Sequence, residues 1–363
     1  MNLFKSTAVG GMELKNRFIR SALWMKGATE DGHLTDALYK TYGDLAEGGV
    51  GLIITGYAFI SSIEQPNSRM LGIYNDAFVE EYQNFTQMIH AKGSKVALQL
   101  AFGGSQSFHP NAREMDIIGP SAVENRVTGL LPREATRQDI KNVVSAFGKA
   151  SLRAKKSGFD AVQIHAAHGY FLSSFLTPYY NRRNDEYNGD IHNRARIIYE
   201  TYEEIRNRVG NDFPVMIKLN FDDFMDEGEG LVFEDAVQVF KRLDEMGMDL
   251  FEVSATNESS GKGLAPARTK IAPPDKQSYF REATAKIAEI VKAPVILMGG
   301  NRDVDLMSEI LATTKIKYVS LARPLLCEPD LINKWKNEPG YRPKCISCNK
   351  CWVKTPNACA LAA

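Results

Sequence analysis

Eight short apolar segments recur along the chain, and their spacing is the feature that most limits the fold. They span residues 16–22, 50–56, 95–101, 160–166, 214–220, 249–255, 294–300 and 317–323. Amphipathic stretches lie between them, with apolar residues every three or four positions, at 76–92, 139–156, 193–209 and 233–246. Apolar segments without strict alternation are typical of strands buried on both faces, and parallel strands need right-handed helical crossovers. Eight such units predict a (β/α)₈ TIM barrel.

The alternative fold is an open, doubly wound sheet, which normally carries a Gly-x-Gly-x-x-Gly turn after an early strand. That turn is absent from the sequence, and Gly49-Val50-Gly51 precedes its apolar segment instead of following it. The barrel is therefore favoured. We expect one barrel domain over residues 1–338 and a Cys-rich tail over 339–363, after the Pro339-Gly340 pair.

Charge and hydropathy exclude several classes of partner. The chain has 44 Lys and Arg against 44 Asp and Glu, so its formal net charge is zero. Nucleic-acid and membrane-surface binders concentrate positive charge, so neither partner is expected. We also find no signal peptide and no apolar run long enough to span a bilayer, which predicts a cytoplasmic protein.

The five cysteines are unevenly distributed. All lie beyond residue 326, and four of them fall within the last 19 residues: Cys345, Cys348, Cys351 and Cys359. Tight Cys-x-x-Cys spacing without a secretion signal indicates a metal or redox site in a reducing compartment, not a disulfide framework.

In a barrel, the carboxyl ends of the strands converge on the face that holds the active site. Gly299 and Gly300 follow the seventh strand and Arg323 ends the eighth, where barrels often bind phosphate. Gln99 and Lys218 end the third and fifth strands, where an amide and a cation suit a flat, imide-edged ring that becomes anionic on reduction. Together these five residues suggest flavin mononucleotide (FMN).

The fourth strand ends in His165, His168 and Tyr170, which allow more than one interpretation. His-x-x-His could bind a metal with Asp222 or Asp223, as in a metal-dependent lyase. Alternatively, the two imidazoles stabilise a substrate oxygen that gains negative charge, and the Tyr170 phenol delivers a proton. We rank the second interpretation first.

Four segments resemble the old yellow enzyme family of FMN-dependent oxidoreductases. They are Leu14-Lys-Asn-Arg-Phe, Leu52-Ile-Ile-Thr, His165-Ala-Ala-His-Gly-Tyr with the residues that follow it to Gly189, and Ala322-Arg-Pro-Leu-Leu-Cys-Glu-Pro-Asp-Leu. The resemblance covers nearly the whole chain and implies a barrel that holds FMN without a covalent bond. NADH or NADPH reduces that flavin, which passes hydride to an alkene conjugated to a carbonyl group.

The resemblance also implies roles for individual residues. The implied FMN contacts are Ser21, Ala22, Leu23, Trp24, Tyr57, Gln99, Lys218, Gly299, Gly300, Asn301, Ala322 and Arg323. The implied substrate contacts are His165, His168, Trp24 and Lys26, with Tyr170 as the proton donor. A small enone or enoyl compound is the expected substrate, while the sequence leaves self-association of the chain open.

The sequence allows alternatives for the reaction and for the tail. A dehydrogenase or demethylase of the same family, and a non-catalytic electron carrier, are alternatives to the ene-reductase. The tail is similar to that of the iron–sulfur members, such as trimethylamine dehydrogenase and dienoyl-CoA reductase. Its Cys345, Cys348, Cys351 and Cys359 could hold a [4Fe–4S] cluster or zinc, or could be a vestige without metal.

Overall fold

The computed structural model describes residues 2–361 and contains a closed barrel of eight parallel strands. In chain order, β1 to β8 are Phe18–Arg20, Leu52–Ile54, Lys95–Ala101, Ala161–Ala166, Val215–Asn220, Leu250–Ser254, Val295–Leu297 and Tyr318–Leu321. Each strand pairs with the next one along the chain, and β8 pairs with β1 to close the ring. All eight apolar segments thus contain a barrel strand, so the (β/α)₈ prediction is confirmed.

Helices connect the strands on the outside of the barrel. They are α1 to α11, in order Asp36–Glu47, Phe78–Ala91, Arg137–Lys156, Phe171–Leu176, Ile191–Arg194, Arg196–Val209, Phe233–Glu245, Arg281–Ile290, Val304–Thr313, Arg323–Cys327 and Leu331–Asn337. The four amphipathic stretches are helical as predicted, although Ala195 divides the third into α5 and α6. Thr136 caps α3 in a reciprocal arrangement with Asp139. No helix of the described part is long and apolar enough to cross a membrane.

Short elements complete the chain. Thr7–Val9 and Met12–Leu14 form an antiparallel hairpin, Ala58–Phe59 and Leu71–Gly72 extend the sheet beside β3, and Ile118–Gly119 pairs with Arg133–Glu134. Single 3₁₀ turns lie at Ala112–Glu114, Glu258–Ser260, Pro274–Lys276 and Lys350–Val353.

The barrel interior is apolar at one end and polar at the other. Val9, Met12 and Leu14 of the hairpin pack against inward-facing residues such as Ile19 and Met216, and so close the amino ends of the strands. In a strand every second residue faces the same side, so the next inward-facing residues lie two positions further along. Several of these are polar, among them Gln163, Lys218 and Glu252. The polar layer therefore lies toward the carboxyl ends, where the site is expected.

The tail packs across the carboxyl-end face of the barrel. The backbone N–H of Asn357 donates to the carbonyl of Met25 (2.7 Å), and its amide donates to the carbonyl of Trp24 (2.6 Å). Arg302, in the loop after β7, donates to the carbonyl of Cys345 (2.6 Å). The tail therefore covers the barrel mouth. The domain boundary between barrel and tail at residue 338 stays a prediction.

Candidate active site

A cavity of about 550 Å³ lies at the carboxyl ends of the barrel strands. Every residue that the sequence placed in the site lines it, except Lys26. Those lining residues are Ser21, Ala22, Leu23, Trp24, Tyr57, Gln99, His165, His168, Tyr170, Lys218, Gly299, Gly300, Asn301, Ala322 and Arg323. The two long loops after β3 and β6 add Phe108 and residues 265–267, so both contribute to the walls.

Lys26 does not line the cavity. Its backbone is in the left-handed region (φ 52°), its ammonium donates to the carbonyl of Trp352 (3.0 Å), and it lies 4.8 Å from the ring centroid of Trp24. The structure therefore does not bring Lys26 together with the other predicted substrate contacts. This lysine instead connects the tail to the turn after β1.

The floor of the cavity is a buried polar layer contributed by neighbouring strands. Strand pairing places Gln99 beside Gln163, His165 beside Lys218, and Lys218 beside Glu252. The Gln99 amide donates to Gln163 (2.6 Å), and the Gln163 amide donates to Glu252 (2.9 Å). Lys218 forms an ion pair with Glu252 at 3.2 Å. Amide and cationic groups thus occupy fixed positions beneath the cavity.

Both histidines are uncharged at physiological pH. Burial lowers the pKa of His168 to about 3, with a further contribution from Lys218. Burial also lowers the pKa of His165 well below its ordinary value, assisted by His168 and Lys218. Each neutral imidazole carries one N–H donor, so the pair can bind an oxygen that develops negative charge.

The hydrogen bonds of the two imidazoles differ. His165 Nδ1 is buried and has no hydrogen-bond partner among the described residues. His168 Nε2 lies 2.7 Å from Ser254 Oγ. If the Ser254 hydroxyl donates in this contact, the proton of His168 is on Nδ1.

Tyr170 stands beside this pair and shares its hydroxyl with two other groups. Its ring stacks on that of His165 with centroids 4.6 Å apart. Its hydroxyl donates to Tyr57 Oη (3.3 Å), and the Asn67 amide donates to both hydroxyls, at 3.0 Å to Tyr57 and 3.3 Å to Tyr170. Burial raises the pKa of Tyr170 above its ordinary value, so the phenol keeps its proton.

Sequence reasoning missed Asn67 and Glu258, which also line the cavity. Asn67 follows Pro66 in the connection after β2, and Glu258 lies in the loop after β6, where it accepts a hydrogen bond from Gln106 (3.1 Å). Neither residue belongs to a spaced motif. The only sequence signal for Asn67 and Glu258 was that each is a polar residue in a connection between barrel elements.

The predicted phosphate corner is formed by the ends of β7 and β8. Gly299 and Gly300 have φ of 99° and 79°, and a Cβ on either would lie within 2.8 Å of the Tyr279 ring, so only glycine fits. Arg323 lines the same corner, where its Nη1 donates to the Arg268 carbonyl (2.8 Å) and to Asn349 Oδ1 (2.6 Å). The guanidinium is thus held in place by the loop after β6 and by the tail.

Asn301 lies next to this corner, but its side chain is engaged elsewhere. The amide donates to the carbonyls of Leu297 and Ser320 at 2.8 and 2.9 Å, and its oxygen accepts from Ser278 (2.8 Å). Asn301 therefore joins β7 to β8, which leaves its backbone as the part that a ligand could contact.

The four tail cysteines surround one small pocket next to Arg323. Cys345, Cys348, Cys351 and Cys359 all line it, while Cys327 packs behind them against Cys345 and Cys359. Burial raises the pKa of Cys345 and of Cys351. The pocket volume is only about 10 Å³, and within residues 2–361 no group of three or more His, Cys, Asp or Glu side chains is arranged to hold a metal ion. The same finding applies to His165 and His168, so the metal-lyase interpretation has no ligand set.

Fold and site together define a (β/α)₈-barrel protein with a polar and aromatic site at the carboxyl ends of its strands. The sequence profile of the NADH:flavin oxidoreductase / NADH oxidase family matches residues 2–339. The chain therefore belongs to this family of FMN-dependent NADH and NADPH oxidoreductases, and the predicted relationship to old yellow enzyme is confirmed.

Individual relatives agree with this assignment. The chain is 34% identical to an NADPH dehydrogenase from Geobacillus sp. over 330 residues, which are 90% of this chain and 91% of that protein. It is 30% identical to an NADH oxidase from Thermoanaerobacter brockii over 351 residues, 96% of this chain but 53% of the relative. The chain thus spans about half the length of several curated relatives that it matches.

A solved structure shares the fold over nearly the whole chain. It is a 2-naphthoyl-CoA reductase in complex with 2-naphthoyl-CoA, with a TM-score of 0.90 at 21% identity. The match covers 99% of this chain and 56% of that one. At this identity the likeness establishes the fold, the tail included.

Proposed function

We propose that the protein uses FMN and NADH or NADPH to reduce a carbon–carbon double bond conjugated to a carbonyl group. The observation that carries this proposal is the group of His165, His168 and Tyr170. Two uncharged imidazoles and a protonated phenol line the same cavity, in which no side chain of this group carries a charge that would repel a developing enolate.

The residues of the cavity fit FMN. The amide of Gln99 and the ammonium of Lys218 suit the polar edge of the ring, and Lys218 suits its anionic reduced form. Gly299, Gly300 and Arg323 offer a close backbone approach and a fixed guanidinium for the phosphate. When bound, FMN supplies hydride chemistry: it accepts a hydride from NAD(P)H and donates it to the alkene.

His165 and His168 bind the substrate carbonyl oxygen. Because both pKa values lie below the ordinary range, each ring acts as a neutral N–H donor and loses no proton. The hydrogen bonds strengthen as charge develops on the oxygen, so they stabilise the transition state more than the ground state.

Tyr170 protonates the α-carbon of the substrate. At rest its hydroxyl proton points to Tyr57 Oη at 3.3 Å, which is a weak contact, so the hydroxyl can turn toward a substrate at little cost. The Asn67 amide donates to the Tyr170 oxygen and supports the phenolate that proton transfer leaves.

The experiment that tests this function combines identification of the cofactor with turnover. Protein purified without added flavin is denatured, and the released cofactor is identified by mass spectrometry. The holoprotein is then assayed with NADH and NADPH against a set of enones and enoyl thioesters, with saturated analogues as controls. The proposal expects FMN and turnover of the unsaturated compounds only. Bound FMN with oxidation of an amine or alcohol instead would favour the dehydrogenase or demethylase alternative.

We also propose that the four tail cysteines bind an iron–sulfur cluster. The support is chemical: four thiols, the ligands that such clusters use, line a single pocket. Because that pocket is closed, binding requires the sulfurs to move apart. Anaerobically prepared protein should contain iron and acid-labile sulfide in equal amounts, and C348A should lose them while C327A, which alters a thiol outside the pocket lining, should keep them. Iron-free wild-type protein would refute the cluster, and a zinc assay of the same sample would then separate a zinc site from a vestige without metal.

A further inference from the structure

Glu252 lies directly beneath the cavity without lining it, and its burial is complete. The side chain on β6 is 0% exposed. One carboxylate oxygen accepts from Ser21 (2.6 Å) and Ser320 (2.8 Å), and the other accepts from Gln163 (2.9 Å) and pairs with Lys218 (3.2 Å). All four acceptor positions of the carboxylate are therefore filled by donors.

This arrangement keeps Glu252 ionised. Burial alone would raise the pKa of its carboxyl, but Lys218 and the hydrogen bonds from Ser21, Gln163 and Ser320 outweigh burial and hold the pKa below its ordinary value. A protonated Glu252 carboxyl would point its O–H at one of the four groups that already donate to it, and this contact between two donors is unfavourable. Lys218 therefore has a fixed negative partner inside the barrel.

The partner matters because Lys218 faces the cavity and Glu252 does not. An isolated ammonium beside a flavin ring would favour the anionic reduced flavin and raise its reduction potential. A carboxylate 3.2 Å behind the ammonium offsets part of that field, and the field is strong where water is excluded. Arg20, the buried last residue of β1, adds positive charge that Glu252 also offsets.

We propose that the buried charge of Glu252 opposes the field of Lys218 at the flavin and so holds down the reduction potential of the bound flavin. This inference rests on the proposed FMN function. It assigns a role to a residue that does not line the cavity, and it explains why a carboxylate occupies a fully buried position of the polar layer.

The test is the flavin potential of E252Q, measured against reference dyes, together with the affinity of the oxidised flavin for sulfite, which forms an anionic adduct. Removing one unit charge at this depth should shift the reduction equilibrium on the order of tenfold toward the reduced flavin, about 30 mV for a two-electron couple, and should tighten sulfite binding similarly. E252D keeps the charge and should keep the potential close to that of the wild type. An unchanged or lower potential in E252Q would overturn the role.

Two comparisons keep the outcome decisive. If E252Q does not retain flavin, the potential of K218M is compared with that of K218M/E252Q, which removes both members of the Lys218–Glu252 ion pair. The double variant should have the higher potential, and equal potentials would refute the inference. Wild-type protein without FMN would refute the proposed function and this inference together, whereas a flavin-containing wild type with an insensitive E252Q would refute this inference alone.

Discussion

Replacement of Tyr170 by Phe separates catalysis from folding, because the structure shows how little its hydroxyl contributes to stability. The hydroxyl makes two contacts of 3.3 Å, and the Asn67 amide keeps its shorter bond of 3.0 Å to Tyr57 when the Tyr170 oxygen is removed. The Asn67 nitrogen loses one partner and keeps the other, so we expect a loss of about 1 kcal/mol in the free energy of unfolding. The stacking of ring 170 on His165 is kept.

The catalytic effect of Y170F should be much larger and confined to one half-reaction. Loss of a positioned general acid typically costs about 10²–10⁴ in rate, so reoxidation of the flavin by the alkene should slow by that factor. Reduction of the flavin by NAD(P)H needs no proton from Tyr170 and should be unchanged. Stopped-flow absorbance measures the two half-reactions separately, and circular dichroism checks the fold.

The matched control is Y57F, which removes the neighbouring hydroxyl but leaves the proton donor. It should slow the alkene half-reaction less than Y170F does. If Y170F reacts with the alkene at the wild-type rate, or if both half-reactions slow equally, Tyr170 is not the proton donor.

Two further predictions follow from individual contacts. S254A removes the hydroxyl beside His168 Nε2, and kcat/KM for the alkene should fall by about tenfold, as expected for one hydrogen bond that fixes a tautomer. S254T keeps the hydroxyl and should retain activity. Equal kcat/KM values for the wild type and S254A would contradict the role of Ser254 in fixing the His168 tautomer. Burial raises the pKa of Glu64 to about 8, above its unfolded value, so its contribution to stability is complete at low pH and is lost as pH rises toward 8. E64Q should therefore lose less stability between pH 5 and pH 8 than the wild type in urea unfolding, and parallel pH profiles would refute this explanation.

The barrel could be predicted because its information is local. Each strand is a short apolar segment between turns, and eight of them with intervening amphipathic stretches leave few alternatives. Bounds were less certain: the segment 294–300 contains a strand only over Val295–Leu297, since Gly299 and Gly300 turn away from the sheet with positive φ.

The site residues at strand ends were predictable for the same reason, because parallel strands bring their carboxyl ends together whatever the details of the packing. Contacts across the fold were not predictable. Lys26 bonds to Trp352, 326 positions away, and Asn67 reaches Tyr170, 103 positions away. The role of Glu252 depended on strand register, which places it beside Lys218 and which a single sequence does not specify.

Above all, we expect the cavity to hold FMN and to support hydride transfer from NAD(P)H to a conjugated alkene. The most direct measurement is an anaerobic titration of the purified protein followed by flavin absorbance. NADH or NADPH should bleach the oxidised flavin, and one equivalent of an α,β-unsaturated carbonyl compound should restore it with formation of the saturated product. Protein that carries no flavin, or flavin that is reduced but never reoxidised by any such alkene, would contradict the proposed reduction of conjugated alkenes.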